Sequence, residues 1–225
     1  MFPMTISENL NEIHSVIQSA ARDQNRDPAL VNLVAVSKRQ SADSIQSALD
    51  MGHRLFGENR VQEAQEHWAE HRDSGSYDDL VLHLIGPLQT NKAKDAVALF
   101  DVIETVDREK LARVLADEME KQDKRLPCFI QVNTGEEEQK AGIIPSALSD
   151  FYEFCTVECG LDIVGLLCIP PVDEPAAMHF GLLNKLAAGL GITQLSMGMS
   201  ADYPKAVALG ATHVRVGTGI FGARD

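Results

Sequence analysis

At 225 residues the chain has the length of one large α/β or barrel domain, and its apolar and charged fractions, 44% and 24%, exclude a disordered segment. A net charge of −13 without a clustered basic patch argues against nucleic acid and membrane surfaces as partners. The four cysteines form no CxxC pair and no histidine has zinc-finger spacing, while no basic n-region or apolar run of about 18 residues is present; the expectations are reduced thiols, no metal and a cytoplasmic protein.

Ile6, Leu10, Ile13, Ile17 and Ala20 recur at helical spacing behind a Thr5/Glu8 capping box, which predicts an amphipathic helix ahead of the first strand. Residues 31–36 are an apolar strand that runs into Lys38, and residues 42–51 read as a helix stopped by Gly52. A short strand, 54–56, leads through Gly57-Glu58-Asn59 to a helix over 61–71. Strand three spans 80–85 and ends at Gly86-Pro87, with a helix over 91–100 behind it. Strand four is 102–106, and Asp107 is the expected cap of a helix with Leu111, Val114, Leu115 and Met119 on one face. Strand five is 128–132, followed by a polar loop and a helix after Pro145. Strands six, seven and eight are 161–167, 193–196 and 213–216, separated by helices over 175–188 and 201–209.

Eight short apolar strands alternating with helices at intervals of roughly 20–35 residues predict an α/β fold, a (β/α)8 TIM barrel with an extra N-terminal helix, forming one domain over residues 1–225. The alternative is an open doubly wound sheet, because strands two and seven carry the weakest signals.

In a barrel the reactive end is the carboxyl end of the strands. Lys38 stands there after strand one, where a partly desolvated amine loses its proton and attacks carbonyls. After strand seven the chain reads Ser196-Met197-Gly198-Met199-Ser200, and after strand eight Arg215-Val216-Gly217-Thr218-Gly219. Hydroxyls, glycines and helix starts of this kind suit an anion. Closure of the barrel sets Lys38 beside strand eight, so a phosphorylated aldehyde satisfies both features. Pyridoxal 5'-phosphate (PLP) is such a molecule, with Ser196, Gly217 and Thr218 on its phosphate.

Ala35-Val36-Ser37-Lys38, Phe56-Gly57-Glu58-Asn59, residues 83–92, residues 195–200 and residues 213–222 together resemble the YggS/PROSC family of PLP-binding proteins, also called PLP homeostasis proteins. That family's fold is similar to the amino-terminal barrel of alanine racemase. The resemblance implies that Lys38 carries PLP as a Schiff base, that Ser196, Met197, Gly217 and Thr218 surround the phosphate, that Arg215 approaches the pyridine nitrogen, and that Asn59 lies close by. It also implies a role in vitamin B6 and amino-acid balance without robust catalysis, PLP-dependent apo-enzymes as recipients, and a monomer. A guanidinium holds its proton, so a ring nitrogen facing Arg215 is a weaker electron sink.

The alternatives are a weak PLP-dependent racemase and a lysine aldolase acting on a phosphorylated sugar. Racemisation needs a second acid–base group, and of the three tyrosines only Tyr203 follows a site loop; it reads as helix surface. His213 is expected to pack at the opposite end of the barrel, Glu58 to be a solvated or salt-bridged carboxylate, and Lys140 is assigned no role. Arg60 stands where relatives carry an aromatic residue.

Overall fold

The computed structural model describes residues 5–222. Eight parallel strands close into a barrel in sequence order: β1 (Asn32–Val36), β2 (Leu55–Glu58), β3 (Val81–Leu84), β4 (Val102–Val106), β5 (Cys128–Val132), β6 (Ile163–Cys168), β7 (Gln194–Ser196) and β8 (His213–Val216). The barrel is sealed by β1 against β8 with Ala35 opposite Val216, and by a single described register pair, Ser196 with His213, between β7 and β8. The (β/α)8 expectation therefore stands and the open sheet does not. Because such strands are buried on both faces they read as apolar runs, which is why most were visible without any alternation.

The connecting helices are α1 (Ile6–Arg22), α2 (Ala42–Asp50), α3 (Val61–Ser74), α4 (Ala93–Leu99), α5 (Glu109–Lys121), α6 (Leu148–Glu153), α7 (Ala176–Leu190), α8 (Tyr203–Ala208) and α9 (Thr218–Phe221). Among the described residues, the segment after β8 makes one turn, α9. The N-terminal α1 packs against α8, α9 and α2 and buries Leu10, Ile13, Ile17 and Ala21. Its capping box is formed, with the Glu8 amide donating to Thr5 Oγ1 and the Thr5 amide to Glu8 Oε2.

Outward positions such as Phe56, Leu82, Ile103 and Ile130 join the main core under the helices, where Phe56 packs on Trp68 at 4.6 Å between ring centroids. The inward positions make a second, smaller apolar layer of Val102, Phe129 and Leu167. Phe129 fits only because Gly165 faces it: a Cβ there would lie 2.2 Å from the ring.

Two expectations are corrected. Asp107 does not cap α5; its carboxylate pairs with Arg108, and the helix starts from Arg108 with no side-chain cap. Tyr203 is not helix surface: it is 9% exposed, belongs to the main core, and its phenol is close enough to Glu12 of α1 for that charge to raise its pKa, behind the larger effect of burial. Among the described residues no helix is long and apolar enough to cross a membrane.

Candidate cofactor site at the barrel mouth

Val34 and Val36 share a face with Arg215 and Gly57, their register partners, and that face is the inside of the barrel. Ser37 points the other way, to the helix layer, where its hydroxyl donates to Glu58 at 2.7 Å. Lys38 follows on the inward parity, half-buried, two residues past the end of β1. Asn59 has the same parity on β2, also half-buried. Its backbone is fixed by Gly86 after β3: a Cβ at Gly86 would sit 2.3 Å from the Asn59 carbonyl oxygen. The two residues the sequence placed at the mouth of strands one and two are therefore neighbours across the β1–β2 pair.

The loops after β7 and β8 meet beside them. Gly198 adopts φ +91 and its carbonyl oxygen accepts from the Arg215 amide, and a Cβ at that position would strike Ala206 at 2.5 Å. Only glycine turns the chain so sharply there. The turn delivers Ser200, whose Oγ accepts from the Gly219 amide at 3.3 Å. Gly217 packs on the end of β1, with the Val36 carbonyl oxygen 3.4 Å from where a Cβ would be. Thr218 and Gly219 are exposed, Gly217 and Ser200 half-buried. Ser200, Gly217, Thr218 and Gly219 are thus the accessible polar groups of this part of the rim.

Ser196 and Met197 are placed elsewhere. Ser196 points into the barrel, fully buried, where its hydroxyl donates to Glu104 at 2.5 Å and accepts from Arg215 at 2.7 Å. Its donor is spent on a carboxylate, and that carboxylate would repel a phosphate. Met197 packs in the core on the helix side and its amide is taken by the His213 carbonyl, 3.1 Å away. The sequence recognised a hydroxyl in this loop but chose the strand residue over Ser200; the available signal was parity, since a strand's last inward side chain lies below the rim while the loop serine lies on it.

Below the mouth the barrel holds a charged network that sequence reasoning missed. Arg215 is 4% exposed and donates to Ser196 and, at 3.0 Å, to the Cys168 carbonyl. Glu104, fully buried, accepts from Ser196 on one oxygen and from His83 Nδ1, at 2.5 Å, on the other. Burial alone would raise the Glu104 pKa, but the His83 hydrogen bond and the charges of His83 and Arg215 outweigh it and hold the carboxyl at about 2. Burial pulls the Arg215 pKa down, partly offset by Glu104. His213 faces the same interior, 5.6 Å from the His83 ring and 5.5 Å from Phe129, and burial depresses its pKa to about 4. It packs in the barrel interior, at the end expected. Alternating strand parity was the signal for His83, Glu104 and Arg215 meeting; what hid it is that Glu104 is a carboxylate in a strand whose neighbours are all apolar or threonine.

The thiols take no part. Cys128, Cys155, Cys159 and Cys168 are free, and burial pushes Cys155 and Cys168 up to about 12.

Residues 10–225 match the family described as alanine racemase, N-terminal domain. The pyridoxal phosphate homeostasis protein of Pseudomonas aeruginosa is 40% identical over 226 residues, covering 98% of this chain and 96% of that protein. The structure of PipY from Synechococcus elongatus without PLP aligns with a TM-score of 0.85 at 38% identity, covering 97% of this chain and all of the other. The structure of PipY with PLP bound aligns with a TM-score of 0.83 at 37% identity, over the same 97% of this chain. The closed eight-stranded barrel and these full-length matches agree: the chain belongs to the alanine racemase N-terminal domain family, among its pyridoxal phosphate homeostasis proteins.

Proposed function

We propose that this chain binds PLP at the barrel mouth, anchors it through Lys38 and serves vitamin B6 homeostasis as a carrier, a monomer in the cytoplasm. The observation that carries the reading is the closure of β1 on β8, which sets the lysine loop against Gly217. The residues fit the cofactor. Lys38 Nζ would supply the amine that holds the cofactor's aldehyde. The Ser200 hydroxyl, Thr218 and the amides of Gly217 and Gly219 supply neutral donors for the phosphate, with Ser200 replacing Ser196 in that role. Arg215 would supply a fixed cation from the barrel interior, and Asn59 a polar side chain beside Lys38. PLP when bound contributes an electron-accepting ring; a ring facing a guanidinium contributes less of that capacity.

Four free thiols suit a reducing compartment. Recipients are PLP-dependent apo-enzymes in this reading. Racemisation gains no support: among the described residues Tyr203 lies in the core beside α1, Tyr77 accepts from Gln46, and Tyr152 packs against the core, so no tyrosine faces Lys38 across the mouth.

The test is a transfer assay. Protein loaded with PLP and freed of excess cofactor is mixed with a PLP-dependent apo-enzyme, and recovery of that enzyme's activity is followed. Recovery faster than from an equal amount of free PLP under trapping conditions supports a carrier. Recovery at the spontaneous release rate removes delivery from the account.

A further inference from the structure

Behind the lysine loop, between β2 and α3, three metal-ligand side chains converge outside the cofactor site. Glu58 ends β2 on the outward parity, and Glu63 and His67 stand one turn apart on α3. One ligand atom from each lies within 4.8 Å of the other two. Glu58 is fully buried, and its two oxygens are used unequally. Oε1 accepts from Ser37 Oγ at 2.7 Å and Trp68 Nε1 at 3.1 Å, and faces His67 Nδ1 at 2.9 Å. Oε2 is buried with no hydrogen-bond partner. An idle carboxylate oxygen in the interior is costly and needs an explanation.

We propose that Glu58, Glu63 and His67 form a binding site for a divalent transition-metal ion of the Zn2+ class. Two carboxylates cancel the ion's charge and a neutral imidazole completes a three-ligand set with one open position. The mixture of oxygen and nitrogen donors selects against Ca2+ and Mg2+, which take oxygen. Ligands at about 2.0–2.2 Å from a tetrahedral ion lie about 3.4 Å from one another, so the trio closes by about 1.4 Å at most. Glu63, half-buried on the face of α3, has the rotamer freedom for that movement. Coordination through His67 Nδ1 selects the tautomer with its proton on Nε2, and turns the contact with Glu58 into shared ligation.

The ligands also grip the two residues that flank Lys38. Glu58 holds the Ser37 hydroxyl, and Glu63 accepts from the amide of Arg39, a residue at φ +58. An ion at this point ties α3 and β2 to the loop that carries the lysine. The site stands without the PLP reading, since none of its ligands belongs to the mouth.

The experiment uses full-length, untagged, chelator-treated protein titrated with ZnCl2, once without and once with PLP, by calorimetry and by the emission of Trp68. Trp68 is the one tryptophan of the sequence and its indole donates to Glu58, which makes it a local reporter. The expected result is one ion per chain, a Trp68 emission change that saturates at the same ratio, and quenching when Co2+ replaces Zn2+. Glu63→Gln and His67→Asn each weaken binding at least about tenfold with circular dichroism unchanged. The Co2+ absorption spectrum reports the ligands directly should either variant fold poorly: an oxygen and nitrogen set lacks the intense thiolate charge-transfer band. Absence of saturable uptake, equal affinity in both variants, or a thiolate band that vanishes on alkylating Cys159 overturns the assignment. Zn2+ uptake by protein that takes no PLP would sustain this site while removing the carrier reading.

Discussion

Glu104→Gln removes the one carboxylate that faces Arg215 inside the barrel, and its cost follows from the geometry. Arg215 and Glu104 are 4% and 0% exposed and share the Ser196 hydroxyl, so the neutral amide leaves a guanidinium buried without its counter-charge. Breaking a buried pair from one side costs about 3–5 kcal/mol. Although burial pushes it up, the Glu104 carboxyl is held at about 2, below its ordinary 4.5, by the His83 hydrogen bond and the charges of His83 and Arg215, so its charged form adds to stability. Because the folded value is the lower one, this stability is present above pH 4.5 and is lost as pH falls toward 2. At pH 7 the variant should therefore melt roughly 6–20 °C below the parent for a domain of this size. Denaturant unfolding at pH 7, 4 and 3 should show the parent losing ground to the variant as pH falls. Adding Arg215→Met should restore part of the loss, with a coupling of about 2 kcal/mol or more in the double-mutant cycle. A loss at pH 7 below about 1 kcal/mol, or additivity within about 0.5 kcal/mol, would show that Glu104 does not compensate Arg215.

Ser200→Ala should loosen PLP by roughly 10–100-fold in equilibrium dialysis, the worth of about 1.5–3 kcal/mol for a hydrogen bond to a charged group, whereas Ser196→Ala should act mainly on melting temperature. Gly86→Ala drives a Cβ to 2.3 Å from the Asn59 carbonyl oxygen, and should lower both stability, by about 1–3 kcal/mol, and PLP affinity in a spectral titration. Gly165→Ala strikes the Phe129 ring at 2.2 Å, a comparable cost in denaturant unfolding, but lies deep in the barrel and should leave Ser200 and Gly217 in place, so PLP affinity is unchanged at temperatures where the variant is folded. His213 titrates near 4 in the fold against 6.5 unfolded, so its neutral form stabilises the fold above pH 6.5 and that contribution falls away as pH drops toward 4. His213→Asn should flatten the stability profile across that window by up to about 3 kcal/mol, measured by unfolding at constant ionic strength.

The barrel was legible because its strands are continuous apolar runs and its helices keep strict period. The expected strands over 102–106, 128–132 and 213–216 coincide with β4, β5 and β8 to the residue. What eluded the sequence was everything set by parity at the rim. Ser196 and Ser200 lie in one short segment, and only the inward turn of β7 and the φ +91 of Gly198 decide which hydroxyl is sunk beside Glu104 and which reaches the mouth. Tyr203 looked like surface because its own helix is only six residues long, too short to show a face, and the element that covers it, α1, comes from the other end of the chain. Glu58 reads from sequence as a solvated or salt-bridged carboxylate; it is buried and faces His67, and the tryptophan that covers it is ten residues on, across a strand-to-helix turn.

The central claim is that Lys38 is the covalent anchor, and borohydride reduction of the PLP-loaded protein followed by peptide mapping tests it most directly. One pyridoxyl group per chain is expected on the peptide that carries Lys38, and none after Lys38→Ala. Reduction that leaves Lys38 unmodified, or an equal yield of adduct on another lysine in Lys38→Ala, would contradict it.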